Sequence, residues 1–274
     1  MYLLLLAFLF AISPLLVGQT DPQFPPKVVV ENIGITNDSL VSSENLQQLR
    51  EEITKQQYGK DAQDEIAERA RYELQKEGYF KADVITSDLQ LQNEAPGQRT
   101  VAVTLRINEG QQYRLEQINF VHNRVFASSQ LRPAFAIKEQ DVFDTEKIRL
   151  GIDELRRMYA SEGYINFVPV PNTKANDQAG TISLVMDIDE GKRFRVESLI
   201  LSGTTEWPEK DVEELRGIFR HYAGSVNVSE LLQQLEAATL AMFPGLDSAH
   251  DLVEVQQNAE RGTVNIRIVR PVNH

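Results

Sequence analysis

Apolar and polar residues follow one order along the chain, and that order recurs. Val28-Val29-Val30-Glu31-Asn32-Ile33-Gly34-Ile35 is rich in β-branched residues and runs into Asn37-Asp38-Ser39, which predicts a strand and a turn. Ser42 and Ser43 are placed to cap a first helix with Leu46, Leu49 and Ile53 on one face. Asp61 opens a second helix with Ile66, Ala70 and Leu74 in line, and Gly78 stands where such a helix needs a left-handed stop residue. Residues 84–91 predict a strand, Ala95-Pro96-Gly97 a turn, and the alternation over 101–107 a third strand. The unit is β-α-α-β-β.

The same order follows twice more. Residues 113–121 predict a strand; Ser128 or Ser129 caps a short helix carrying Leu131 and Phe135. Thr145 starts a longer helix with Ile148, Ile152, Leu155 and Tyr159 on one stripe, ended by Gly163. Phe167-Val168-Pro169-Val170 and residues 181–188 then predict a hairpin. In the third pass residues 194–201 form a strand and residues 209–222 a helix with Val212, Leu215, Phe219 and Tyr222 aligned. Ser229 caps a further helix with Leu232, Leu235 and Met242, and residues 252–255 and 263–269 close with two strands. Pro244-Gly245-Leu246 replaces the helix stop of the earlier units.

Direct matches support the repeat. Ile107-Asn-Glu-Gly-Gln-Gln-Tyr-Arg-Leu-Glu aligns with Ile188-Asp-Glu-Gly-Lys-Arg-Phe-Arg-Val-Glu at an offset of 81 residues. Lys76-Glu77-Gly78-Tyr79-Phe80 aligns with Ser161-Glu162-Gly163-Tyr164-Ile165 at an offset of 85. The difference falls between the two matches, where a hairpin loop absorbs it. The expected division is a signal peptide at 1–18, a Pro-rich leader at 19–26, and modules at 27–110, 111–190 and 191–274, the last divergent.

A unit of about 80 residues in this order, with a Glu-Gly-Tyr helix stop and a Glu-Gly junction leading into Tyr/Phe-Arg-Leu/Val-Glu, resembles the POTRA (polypeptide-transport-associated) family. The likeness is to the tandem modules of outer-membrane β-barrel assembly proteins. It implies an α+β fold of three modules, each a three-stranded mixed sheet with two helices on one face. It also implies binding of unfolded or extended polypeptides, or of an outer-membrane barrel protein, partly by strand addition at a sheet edge. Only Asn273 and His274 follow Val272, too little for the many alternating segments of a barrel. The expectation is therefore a periplasmic accessory scaffold. An inner-membrane-anchored adaptor of the cell-division POTRA type and a fragment of a longer barrel assembly protein remain open beside it.

Composition narrows the chemistry. The net charge of −12 argues against nucleic acid, whose binders present a basic face to phosphates. The absence of cysteine removes disulfides, thiolate metal sites and a lipid-modified N-terminal cysteine. Residues 2–17 are almost wholly apolar, short of the roughly 20 a membrane-spanning helix needs, with Gly18 at a cleavage position. A cleaved export signal and an uncleaved anchor are both consistent with that run, and both place the rest outside the cytoplasm. His122, His221, His250 and His274 share no metal-ligand spacing, and no phosphate loop or nucleophile motif is present. The expectation is no enzyme, no cofactor, no metal and no small-molecule substrate.

Three sets of residues remain as candidates. Gly78-Tyr79 and Gly163-Tyr164 read as helix stops whose tyrosines pack the helices on the sheet. Glu109-Gly110 and Glu190-Gly191 read as module junctions at which glycine permits the bend. A three-stranded sheet leaves two strands with unpaired backbone groups, and the first strand of each hairpin is the candidate binding edge: Val84-Ile85, Val168 and Val170, and Val253 and Val255. Pro169 and Pro171 are expected to blunt the middle one.

Overall fold

The computed structural model describes residues 27–36, 43–203, 207–243, 245–246 and 248–270. The N-terminal apolar run, the leader, Asn37-Asp38-Ser39, Ser42, Pro244 and His274 lie outside them. The described residues fall into two compact units, one within Met1–Arg71 and Val84–Asn108, the other within Tyr72–Asp83 and Glu109–His274. Among the described residues no helix is long and apolar enough to cross a membrane.

In the first unit β1 (Lys27–Thr36), α1 (Ser43–Thr54), β2 (Gln57–Tyr58), α2 (Ala62–Lys76), β3 (Asp83–Ala95) and β4 (Gln98–Asn108) build a sheet of order β2-β1-β4-β3. The alternation along β4 buries Val101, Val103, Leu105 and Ile107, and Leu49, Ile53 and Ile66 of the helices are buried as well. The expected three strands are joined by a fourth: the two-residue β2, between the helices, pairs with Val28 and Val29 on the outer side of β1.

The second unit holds two further sheets. β5 (Arg114–Val121), α3 (Ser128–Leu131), α4 (Thr145–Ser161), β6 (Val168–Asn176) and β7 (Thr181–Asp189) give the order β5-β7-β6. β8 (Arg195–Ser202), α5 (Glu209–Tyr222), α6 (Val228–Met242), β9 (Val253–Asn258) and β10 (Thr263–Val269) give β8-β10-β9. In all three sheets the first strand runs parallel to the last strand of its hairpin. The parallel register slips by one residue at Glu31, Glu116 and Glu197, the same bulge in each repeat. The extra residue of such a bulge is left out of the pairing; Glu31 and Glu116 are exposed there and Glu197 is half-buried.

Several helix details depart from the expectation. The N-cap of α3 is Ala127, whose N–H is bonded by the Gln130 side chain at 2.9 Å, so neither Ser128 nor Ser129 caps it. α4 does start at Thr145, and Asp144, just before it, caps it by accepting from Glu146 N–H at 2.9 Å and Lys147 N–H at 3.1 Å. α6 begins at Val228, after Asn227, with no side-chain cap, which removes Ser229 from that role. Its buried face is Val228, Leu231, Leu235 and Ala238, with Leu232 only half-buried. Each large aliphatic or aromatic side chain so buried contributes roughly 1.5–3 kcal/mol.

Candidate polypeptide-binding edges

Each sheet has one edge closed in the same way. The loop between the two helices lies along the outer side of the first strand: as β2 on β1, through Leu115 N–H to Asp141 C=O (2.9 Å) and Gln140 N–H to Leu115 C=O (2.8 Å) on β5, and through Val196 N–H to Ser225 C=O (2.9 Å) and Gly224 N–H to Val196 C=O (2.9 Å) on β8. The opposite edges are β3, β6 and β9, the strands that carry the candidate residues.

These edges differ in what guards them. On β3 the carbonyl of Val84 accepts from the Arg71 guanidinium at 3.2 Å, and that of Thr86 from the Gln63 amide at 3.0 Å. The near half of this edge is thus occupied by α2. β6 holds Pro169 and Pro171 in a continuous pairing with β7. A proline has no N–H for a ladder, so both nitrogens belong on the outer side, where they remove two donors from the edge. On β9 the six residues Val253–Asn258 contain no proline, and no side chain bonds their backbone among the described residues.

The side chains sort accordingly. The side chains of Val84 and Val253 are buried, so at these two positions only the backbone of the edge is available to an added strand. Ile85, Val168, Val170 and Val255 are exposed, from 36% to 49%. Farther along β3, Leu91 is 54% exposed and borders a groove of about 560 Å³ with Leu89, Val28, Ala62 and Val101. The Glu94–Arg99 ion pair (2.8 Å) stands at its rim. Sequence reading missed this groove and its link to the half of β3 that α2 leaves uncovered.

The motif glycines are in the left-handed region, with φ of 85° at Gly78, 88° at Gly163, 65° at Gly110 and 64° at Gly191. Tyr164 stands edge-on to the buried Tyr159 at 6.1 Å. Burial, then the charge of Glu109, raises the Tyr79 hydroxyl above its ordinary range. Glu190 anchors a turn: its carboxylate accepts from Arg124 N–H (2.7 Å), Val125 N–H (2.8 Å) and the Tyr159 hydroxyl (3.1 Å). Tyr159 is pushed well up, first by burial and then by this bond.

A family model of POTRA, described as a surface antigen variable number repeat, matches residues 23–110 and 113–191, more than half of the chain. The chain belongs to the POTRA family. The putative outer membrane protein assembly factor of Treponema pallidum is 25% identical over 175 residues, 61% of this chain and 21% of that protein. The outer membrane protein assembly factor BamA of Buchnera aphidicola is 23% identical over 127 residues, 46% of this chain and 20% of that protein. The chain thus spans about a fifth of the length of these curated relatives. The crystal structure of Haemophilus influenzae BamA POTRA3-5 superposes with a TM-score of 0.64 at 20% identity, covering 92% of this chain and 99% of that one. The third repeat, outside the family-model match, therefore shares the POTRA fold, with the same bulge at Glu197.

One residue with no counterpart in the motif reading shapes the second POTRA repeat. Gly151, inside α4, faces the Phe135 ring; a Cβ there would meet it at 2.3 Å. Its sequence signal was an isolated glycine in a helical pattern, a mark of close packing.

Proposed function

We propose that this chain is a periplasmic POTRA scaffold in outer-membrane protein assembly, not an enzyme, which receives extended polypeptides or a barrel subunit by strand addition. The observation that carries the reading is the pattern of edges: a POTRA sheet closed on one side by its own interhelical loop and ending on the other in β9 or in the distal half of β3. The names of the relatives support the assembly setting.

The magnitudes suit transient handling. Three or four added backbone hydrogen bonds at about 1 kcal/mol net each give about 3–4 kcal/mol, a millimolar affinity. Edges on one chain gain by effective concentration, so several weak contacts hold a client that none holds alone. Side-chain register, unlike backbone bonding, would be read only loosely by exposed residues such as Ile85 and Val255.

Photocrosslinkers placed in cells at Gln256 on β9, Gln92 on β3 and Thr173 on β6 test this reading. Polypeptide adducts are expected at the first two and few at the third. Absence of any captured polypeptide at Gln256 and Gln92 would remove the strand-addition role.

A further inference from the structure

The Gly-Tyr turns also receive the strand that comes after them. The carbonyl of Gly78 accepts from Tyr113 N–H at 2.9 Å, and that of Gly163 accepts from Phe194 N–H at 2.9 Å. The next residue turns its amide the opposite way, Arg114 N–H to Gly180 C=O and Arg195 N–H to Gly262 C=O, both 2.9 Å, in the hairpin turn of its own repeat. The aromatic ring itself lies in the core of its own repeat, with Tyr113 2% and Phe194 1% exposed. One dipeptide therefore binds backward to a helix stop and inward to its own core and turn.

Space at the glycines makes the fit close. A Cβ on Gly163 would lie 2.6 Å from the Phe194 carbonyl oxygen and 3.0 Å from Val226 Cβ. One on Gly78 would lie 2.5 Å from Val142 Cγ1 and 3.1 Å from the Tyr113 carbonyl oxygen. Gly224 also has positive φ, 75°, but open space around it. A left-handed backbone alone tolerates asparagine; this approach of backbone to backbone does not.

Around Gly163 the contact widens. The Arg193 guanidinium donates to the Glu162 carbonyl (2.7 Å) and carboxylate (2.8 Å). The amides of Asn166 and Gln257 exchange hydrogen bonds of 2.7 and 3.1 Å, and Ile165 packs on the core of the third repeat.

We propose that the Gly163-Tyr164 turn is a docking socket that locks the second and third repeats into one mechanical body, with Gly163, Arg193 and Asn166 as positioning residues. The motif that ends a helix in one repeat thereby sets the attitude of the next, and β6 and β9 keep a fixed spacing. The inference stands apart from polypeptide binding and holds whether or not a client is found.

The chain has no cysteine, so cysteines introduced at Leu150 in α4 and Arg216 in α5, both exposed, are unique spin-label sites. Pulsed electron–electron distance measurement on the full chain should give one narrow distribution. Gly163→Ala should broaden or shift it, whereas Gly224→Ala, with the backbone strain but no clash, should leave it unchanged. Should Gly163→Ala lose its native circular dichroism, the exposed pair Asn166→Ala with Arg193→Ala replaces it and should broaden the distribution to a smaller degree. A broad distribution in the parent chain, or a distribution unchanged in both width and position in whichever of these variants is folded, overturns the proposal.

Discussion

The second and third repeats share an element order, a bulged first strand and an aromatic-Arg start, yet they treat their outer edges in opposite ways. β6 extends nine residues and carries Pro169 and Pro171; β9 extends six and carries no proline. The helices follow suit. α4 is capped by Asp144 and admits Phe135 at Gly151, while α6 begins with no side-chain cap. One topology thus serves as a closed, firmly packed body in one place and as an open edge in another. The difference lies in a few side chains rather than in the fold.

The largest expected effect comes from disturbing the closed repeat at its centre. Helix propensity alone favours Gly151→Ala by about 1 kcal/mol, but the new methyl meets the Phe135 ring at 2.3 Å. Overpacking costs about 1–3 kcal/mol, so net destabilisation is expected in urea unfolding; a more stable variant would show that the ring yields freely. Next, Asp144→Ala should cost about 1 kcal/mol through the lost cap. Asn227→Ala should cost much less, because its side chain accepts no N–H at the start of α6. Equal losses would erase this part of the contrast.

A smaller change reverses the edge itself. Pro171→Thr restores one outward donor on β6, worth about 1 kcal/mol to an added strand, or roughly fivefold in affinity. Peptide titration followed by NMR reads it; no gain at β6 would mean that proline is not what keeps that edge closed. The smallest effect concerns pH. Glu146 is held down to about 2, first by hydrogen bonds from Arg149 and then by the Tyr72 hydroxyl. Its contribution is therefore complete above the ordinary carboxylate range near 4.5 and fades as pH falls toward 2. Glu146→Gln should flatten the acid limb of an unfolding curve between those values, with little change at neutral pH.

How much of this was legible in the sequence follows from what alternation encodes. The strand runs, the left-handed Gly78 and Gly163 and the inward face of β4 follow from period and residue type. The face of α6 was misplaced because Leu231 and Leu232 are adjacent and either completes an apolar stripe. The start of α4 at Thr145 was legible, with the capping-type residue Asp144 directly before it. Which edge residues also expose side chains was not legible, because an edge strand exposes backbone along its length while its side chains alternate, burying Val84 and Val253 and exposing Ile85 and Val255. The occupation of Val84 and Thr86 by Arg71 and Gln63 was out of reach, since it depends on how α2 lies across β3. Gly151 likewise acquires meaning only once Phe135 is placed against it.

The edges themselves are most directly compared by amide hydrogen exchange on the full chain, with and without a synthetic alternating Val/Thr peptide of about ten residues, the length and pattern of a barrel strand. At millimolar peptide, exchange should slow along β9 and the distal half of β3, and stay unchanged along β6. Protection confined to β6, or none at β9, would contradict the account.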